Sequence, residues 1–139
     1  MPSSTELLWS SIQHWIDDPD SSVEYAEHVE GSIAVRMRQE ARGASTVWWT
    51  HGQRSLRAEL YVLPAPERNA EACYRLALRR NHSTFRCWYG LDADGGIVLR
   101  ARIPNGDVSG EVLDQVLGEL YDQVEATFPP LVRLAFGRE

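Results

Sequence analysis

The chain has 139 residues, with 14 basic side chains against 20 acidic ones and a formal net charge of −6. That length suits one domain of ordinary size, and a composition of 43% hydrophobic and 24% charged residues supplies a core and excludes a disordered tail. The acid surplus argues against a general nucleic-acid binder, which would be basic overall.

Every basic side chain is Arg, and Lys is absent. GC-rich codon usage accounts for this across the whole chain. Arg also forks onto carboxylates and stacks on aromatic rings as Lys does not, so where the Arg residues fall is more informative than their number. The start, Met1 to Leu8, has neither a basic n-region nor a long apolar run and does not read as a signal peptide. No stretch approaches the ~18 apolar residues of a bilayer span. Cys73 and Cys87 make no disulfide framework. These features lead to the expectation of a soluble, reduced, cytoplasmic protein that does not engage a membrane.

Leu8, Ile12, Trp15 and Ile16 recur at helical spacing and predict an amphipathic helix from about Thr5 to Asp18, with Ser3, Ser4 and Thr5 as N-cap candidates. Asp18-Pro19-Asp20 stops it, because a proline disfavours helical geometry in the residue before it. The period then becomes 2. Ile33, Val35 and Met37 alternate with Arg36 and Arg38; Thr46 to Thr50 forms the next strand; Leu56, Ala58, Leu60 and Val62 alternate with Arg57, Glu59 and Tyr61. Val23 to His28 can add a short leading strand outside this count. His51-Gly52-Gln53 reads as a hairpin turn.

A second helix is predicted from about Glu67 to Arg80, with Glu67 and Arg79-Arg80 matching the helix dipole and Asn81 as a left-handed C-terminal cap. Phe85, Cys87, Tyr89 and Leu91 alternate with Arg86 and Trp88 in a fourth strand. Asp92 to Gly96 turns the chain into a fifth, where Ile97, Leu99, Ala101 and Ile103 alternate with Val98, Arg100 and Arg102. The clearest stripe, from Leu113 to Phe128, predicts a helix over Ser109 to Phe128 that Pro129-Pro130 interrupts. Leu131, Leu134 and Phe136 then form an apolar tail packed back on the core. The order α-β-β-β-α-β-β-α over residues 1–139 gives a single α+β domain. Its twisted, mainly antiparallel five-stranded sheet carries the first and last helices on one face.

Chemistry-bearing patterns are sparse. His14, His28, His51 and His82 are scattered, and Cys73, His82 and Cys87 match no zinc spacing, so no metal or cofactor is expected. Asp92 to Gly96 lacks the later ligands of a calcium loop and reads as a turn. No phosphate-binding glycine loop or nucleophile elbow is present, and alternation buries Cys87, so no enzymatic activity is expected. The carboxylates Glu111, Asp114, Glu119, Asp122 and Glu125 read as the solvated side of the last helix.

One constellation remains. With the apolar face inward, the other sheet face carries Arg36, Arg38, Trp48, Arg57, Tyr61, Arg86, Trp88, Arg100 and Arg102, together with Glu59 and Val98. Interleaved arginines and aromatics suit a protein or peptide partner offering carboxylates and apolar groups, or a second copy of the chain. Stacked bases of a single-stranded nucleic acid fit more loosely. A plain solvated face with cross-strand compensation of the Arg57–Glu59 kind remains open.

The runs Tyr61 to Asn69, Tyr74 to Asn81 (ending Leu-Arg-Arg-Asn) and Leu113 to Leu120 (Leu-Asp-x-x-Leu-Gly) resemble YbjN-type proteins of high-GC actinobacteria. The pattern extends from about Ser32 to Phe136, with departures at Pro129-Pro130, Trp48-Trp49 and Trp88. The resemblance implies a fold like that of type III secretion chaperones and a protein- or peptide-binding, chaperone-like module without enzymatic activity, often dimeric. It offers no catalytic or ligand residues to carry over. A non-enzymatic chaperone-like or regulatory adaptor is therefore expected, with a single-stranded nucleic-acid-binding or sensory role as the alternative.

Overall fold

The computed structural model describes residues 2–137. In chain order it contains α1 (Ser4–Asp17), β1 (Val23–Val29), β2 (Ser32–Gln39), β3 (Gly43–His51), β4 (Ser55–Leu63), α2 (Ala70–Arg80), β5 (Cys87–Leu91), β6 (Ile97–Pro104) and α3 (Gly110–Phe136), with a single 3-10 turn at Asn105–Asp107. The strands form one six-stranded sheet in the order β1-β2-β3-β4-β6-β5, and every neighbouring pair is antiparallel.

The five-strand expectation is short by one. Val23–Val29 is a full edge strand, joined to β2 by the two-residue turn Glu30-Gly31, in which both residues have positive φ (44° and 83°). Such a turn matches the twist of a hairpin, but Glu-Gly is a weaker signal than Asn-Gly. Within β1 only Val23 is fully buried, so the strand carries almost no period-2 pattern.

All three helices contribute to the core on one side of the sheet. Leu8, Ile12 and Trp15 of α1, Cys73 and Ala77 of α2, and Leu113, Val116, Leu120, Val124 and Leu131 of α3 bury against the inward residues of β2, β3, β4, β6 and β5. The helix starts are set locally. Ser3 and Glu6 form a reciprocal capping box on α1, and the Ser109 hydroxyl accepts the Val112 amide at 3.2 Å on α3. Trp15 Nε1 donates to Asp114 Oδ1 at 2.7 Å and ties α1 to α3.

Three boundaries move. α3 runs through Pro129-Pro130 to Phe136 rather than stopping at Phe128. Each proline removes one helical hydrogen bond, but Leu131, the next residue, and Ala135, about one turn further on, are fully buried, so packing holds the helix together. The tail does pack on the core, as helix. α2 begins at Ala70, not Glu67. Asn69 precedes it in a left-handed conformation (φ 56°), with its side chain donating to the Leu134 carbonyl of α3 at 2.8 Å instead of capping α2. At the other end Asn81 is right-handed, not a left-handed cap.

The inward face follows the predicted alternation except at Phe85, which is 80% exposed, and at Leu91 at the end of β5, which is 46% exposed. The Glu119 carboxylate of α3 takes the amides of Phe85, Arg86 and Cys87 at 3.0, 2.7 and 2.7 Å, so the chain joins the sheet only at Cys87. Glu119, Asp114 and Glu125 are therefore structural acceptors rather than a solvated stripe. Glu125 receives Gln39 Nε2 at 2.6 Å and the Ala41 amide at 2.9 Å, fixing the β2–β3 hairpin to α3.

Candidate functional site

With every helix on one side, the opposite sheet face has no covering layer among the described residues. The strand register arranges it in rows. Glu27, Ala34, Trp48, Glu59, Arg100 and Trp88 lie side by side across all the strands from β1 to β5. The next row holds Ser32, Thr50, Arg57 and Arg102. Between these rows lies an open groove of about 570 Å³, lined by Trp48, Thr50, Arg57, Glu59, Trp88, Arg100 and Arg102.

The electrostatics of the groove are uneven. Arg100 Nε donates to Glu59 Oε2 at 2.8 Å, directly across the β4–β6 ladder. Its guanidinium also extends over Gly90, where a Cβ would lie 2.9 Å from Nη1, so this glycine leaves room for the side chain. Glu59 thus compensates Arg100, not Arg57 as the sequence suggested. Arg57 and Arg102 face each other across the same ladder, and neither takes part in an ion pair among the described residues. Trp48 and Trp88 stand in the adjacent row on either side of Glu59 and Arg100, 39% and 38% exposed.

Five of the residues expected on this face from alternation, Trp48, Arg57, Trp88, Arg100 and Arg102, therefore converge on one groove. Arg36 and Tyr61 share the face but flank the groove. Arg36 is paired with Glu24 of β1 at 3.4 Å. Tyr61 has its hydroxyl beside Asp92 in the β5–β6 turn; partial burial and then the Asp92 carboxylate raise its pKa. The Asp92 pKa is lowered, first by the Gly96 amide, which its Oδ1 accepts at 2.8 Å. Arg38 sits at the far end of β2 and donates to the Ser21 carbonyl at 2.9 Å. Arg86 is a correction: it leaves the face altogether. Its Nε donates to Gln115 Oε1 of α3 at 2.8 Å and its guanidinium covers the Phe85 ring at 5.1 Å, because Glu119 has pulled this segment off the sheet. Val98 has the expected facing but is buried, lying in register between Tyr61 and Gly90.

The sequence reading missed Thr50, which lines the groove two residues after Trp48 and follows from the same alternation. It also missed Arg42. The β3–β4 ladder stops at Val47–Leu60, leaving the next carbonyls of β4 without strand partners on that side. Arg42 donates to the carbonyls of Tyr61 and Val62 at 2.8 Å each, and to the Ser45 hydroxyl, while its guanidinium stacks 5.2 Å over Phe128. Desolvation lowers its pKa. No motif announces such a residue, which is defined by where a ladder ends.

The two sheet edges differ. On β5 the Asn81 side chain accepts the Tyr89 amide at 2.6 Å and donates to the Tyr89 carbonyl at 3.2 Å, and Glu119 holds the Cys87 amide. Side chains thus occupy the hydrogen-bonding groups that another strand would need. On β1 the Ser21 hydroxyl accepts the Val23 amide at 3.1 Å, at the start of the strand. Cys87 and Cys73 are buried free thiols. Burial, followed by the neighbouring Glu119, pushes the Cys87 thiol far up, which makes it unreactive. Among the described residues no three His, Cys, Asp or Glu side chains are grouped to hold a metal ion, and no helix is long and apolar enough to cross a membrane.

Residues 10–132 match the YbjN family, described as "Putative bacterial sensory transduction regulator". The chain belongs to the YbjN family. It is 33% identical over 104 residues to the Mycobacterium leprae protein ML2442, covering 75% of this chain and 56% of that relative. It is 29% identical over 141 residues to Rv0487 of Mycobacterium tuberculosis, covering 98% of this chain and 76% of that one. Among solved structures, the fold is shared with the Yersinia pestis type III secretion chaperone SycH in complex with a fragment of YscM2 (TM-score 0.56, 21% identity, 85% of this chain and 97% of that one). It is shared equally with the HopA1–SchA chaperone–effector complex (TM-score 0.59, 11% identity, 88% and 94%) and with YbjN of E. coli (TM-score 0.54, 12% identity, 91% and 89%). This YbjN chain therefore has the type III secretion chaperone-like fold expected from its sequence.

Proposed function

We propose that this YbjN protein is a non-enzymatic protein-binding module, chaperone-like or a regulatory adaptor, that holds an extended segment of its partner against the uncovered sheet face. The observation that carries this reading is the groove walled by Trp48 and Trp88 on a face with no covering layer. Half-exposed tryptophans next to arginines are the residue types that anchor protein interfaces. The fold neighbours SycH and SchA, solved in complexes with protein partners, support a protein partner here too. The inert thiols fit a reducing compartment, and a cytoplasmic location belongs to this proposal.

The test is affinity capture from the native host, comparing the natural chain with Trp48→Ala/Trp88→Ala. Both rings sit on the open face, so the double variant should keep its thermal stability and lose the specifically captured partner. An unchanged set of captured proteins overturns the reading.

A homodimer is proposed on a separate observation. Leu78 of α2 and Leu91 of β5 are exposed large apolar side chains on neighbouring elements, beside Tyr74. Because Asn81 occupies the β5 edge, association there would proceed by side-chain packing and not by extending the sheet. Light scattering on Leu78→Glu should show a monomer where the natural chain is a dimer; a monomeric natural chain refutes it.

A further inference from the structure

We propose that Arg57 and Arg102 form a paired-guanidinium site for the carboxylates of an acidic peptide segment that carries acidic and apolar side chains in turn at every second position, and so on one face. This rests on the protein-binding reading above and adds the chemistry of the partner.

The two arginines are register partners on β4 and β6, on the uncovered face, and both are exposed. Like charges directly opposite in a ladder are destabilising, and among the described residues no ion pair compensates them. The groove's one carboxylate, Glu59, is engaged by Arg100 at 2.8 Å. Arg57's partner on β3 is Thr50, whose hydroxyl is bound to that of Ser32 at 2.8 Å. Other outward arginines are satisfied: Arg36 by Glu24 and Arg38 by the Ser21 carbonyl. In a chain with a net charge of −6, two adjacent guanidinium groups thus have no ion-pair partner among the described residues.

The chemistry follows from shape and charge. A guanidinium takes a carboxylate through two parallel hydrogen bonds. Trp48 and Trp88 lie on β3 and β5, three strand spacings apart, or about 14 Å. An extended peptide covers that distance with about four to five residues and presents alternate side chains to the same side. Where the residues on that side are apolar, acidic and apolar at positions i, i+2 and i+4, the carboxylate reaches the arginine pair and the flanking apolar groups reach the indole rings. A nucleic-acid strand fits less well. The net negative charge repels a long polyanion, and Glu59 lies in the middle of the row along which its backbone would run.

The experiment uses the full chain and a fluorescein-labelled ten-residue Glu–Leu peptide, in which every second residue is Ser and the positions between are Leu and Glu in turn, read by anisotropy. A Gln–Leu peptide, a ten-residue oligothymidylate and inorganic phosphate are the comparison probes. The Glu–Leu peptide should bind, with affinity falling as salt rises, and the Gln–Leu peptide should bind at least about tenfold more weakly. Arg57→Gln and Arg102→Gln should each weaken the Glu–Leu peptide by about tenfold while leaving the melting temperature unchanged or raised, since each removes a repulsion. Arg57→Lys, which keeps charge but not the fork, should fall between.

Equal binding of the Glu and Gln peptides, or binding indifferent to both Gln variants, overturns the proposal. So does tighter binding of the oligothymidylate, or displacement of the peptide by phosphate at equal concentration. If the arginine variants change nothing but Trp48→Ala/Trp88→Ala abolishes partner capture, the acidic-peptide assignment fails and the protein-binding face survives. If the tryptophan pair has no effect either, both fail.

Discussion

Glu119 of α3 accepts the backbone amide of Cys87 at 2.7 Å, and the same carboxylate accepts the amides of Phe85 and Arg86. One side chain on a helix thereby decides where an edge strand begins. It also explains why Phe85 and Arg86, which alternate correctly with Cys87 and Trp88, are nevertheless not on the sheet. Burial alone would raise the Glu119 pKa, but its hydrogen bonds with Cys87, Phe85 and Arg86 outweigh it and the pKa is lowered. A carboxyl whose folded pKa lies below its unfolded value stabilises the fold above the unfolded value and loses that contribution as pH falls through the folded one.

Glu119→Gln should therefore destabilise the protein at neutral pH by about 1–3 kcal/mol, because an amide has one acceptor oxygen for three N–H donors. The deficit should shrink as the pH is lowered below the ordinary glutamate range, where the natural carboxyl itself becomes protonated. Urea unfolding at neutral and acidic pH measures both effects. A constant difference across that range would mean that the ionised carboxylate is not what the three amides need.

Arg42 carries a comparable burden at the end of the β3–β4 ladder. Arg42→Met keeps the apolar stem over Phe128 but leaves the carbonyls of Tyr61 and Val62 and the Ser45 hydroxyl without their donor. A loss of about 2 kcal/mol is expected from hydrogen bonds to a charged group. Arg42→Lys should restore only part of it, since one ammonium cannot reproduce the fork. Denaturant midpoints for the two variants provide the check, and full recovery with Lys would show that charge, not geometry, is what matters there.

The strand alternation made most of the sheet legible in advance. Ile33 to Met37, Leu56 to Val62 and Ile97 to Ile103 face inward as their spacing requires, and Trp48, Arg57, Arg100 and Arg102 meet on the other side for the same reason. What the sequence hid depends on contacts between distant segments. β1 has no alternation to detect, because one of its faces packs little. α3 survives two prolines because Leu131 and Ala135 are buried beyond them. Glu119, Asp114 and Glu125 look like any solvated helix face until the chain segments that donate to them are in place. At the groove, composition and alternation located the arginines, but only the register distinguishes Arg100, neutralised by Glu59, from Arg57 and Arg102, which are not.

Asn81 shields the β5 edge at Tyr89. Asn81→Ala should free that amide and carbonyl, so hydrogen exchange at the Tyr89 amide should accelerate in the native state while Leu99 and Ala101, inside the sheet, remain protected. The variant should also aggregate more readily, as an unblocked edge strand offers a template for further pairing. Exchange measured by NMR separates this local opening from global unfolding, which would accelerate all three amides together.

Gly118 lies in the middle of α3 on its exposed side, next to Glu119, and a Cβ built there meets nothing within 4 Å. Glycine in a helix interior costs about 0.5–1 kcal/mol relative to alanine, because it loses more backbone freedom on folding. Gly118→Ala should therefore stabilise the protein by about that amount and raise the melting temperature by about 2–4 °C. The added methyl enters open space, so the Glu119 clamp and the groove on the other side of the sheet should be untouched, and peptide binding should be unchanged. Thermal unfolding of this variant measures the gain, and a fall in melting temperature would mean that the helix needs conformational freedom at this position.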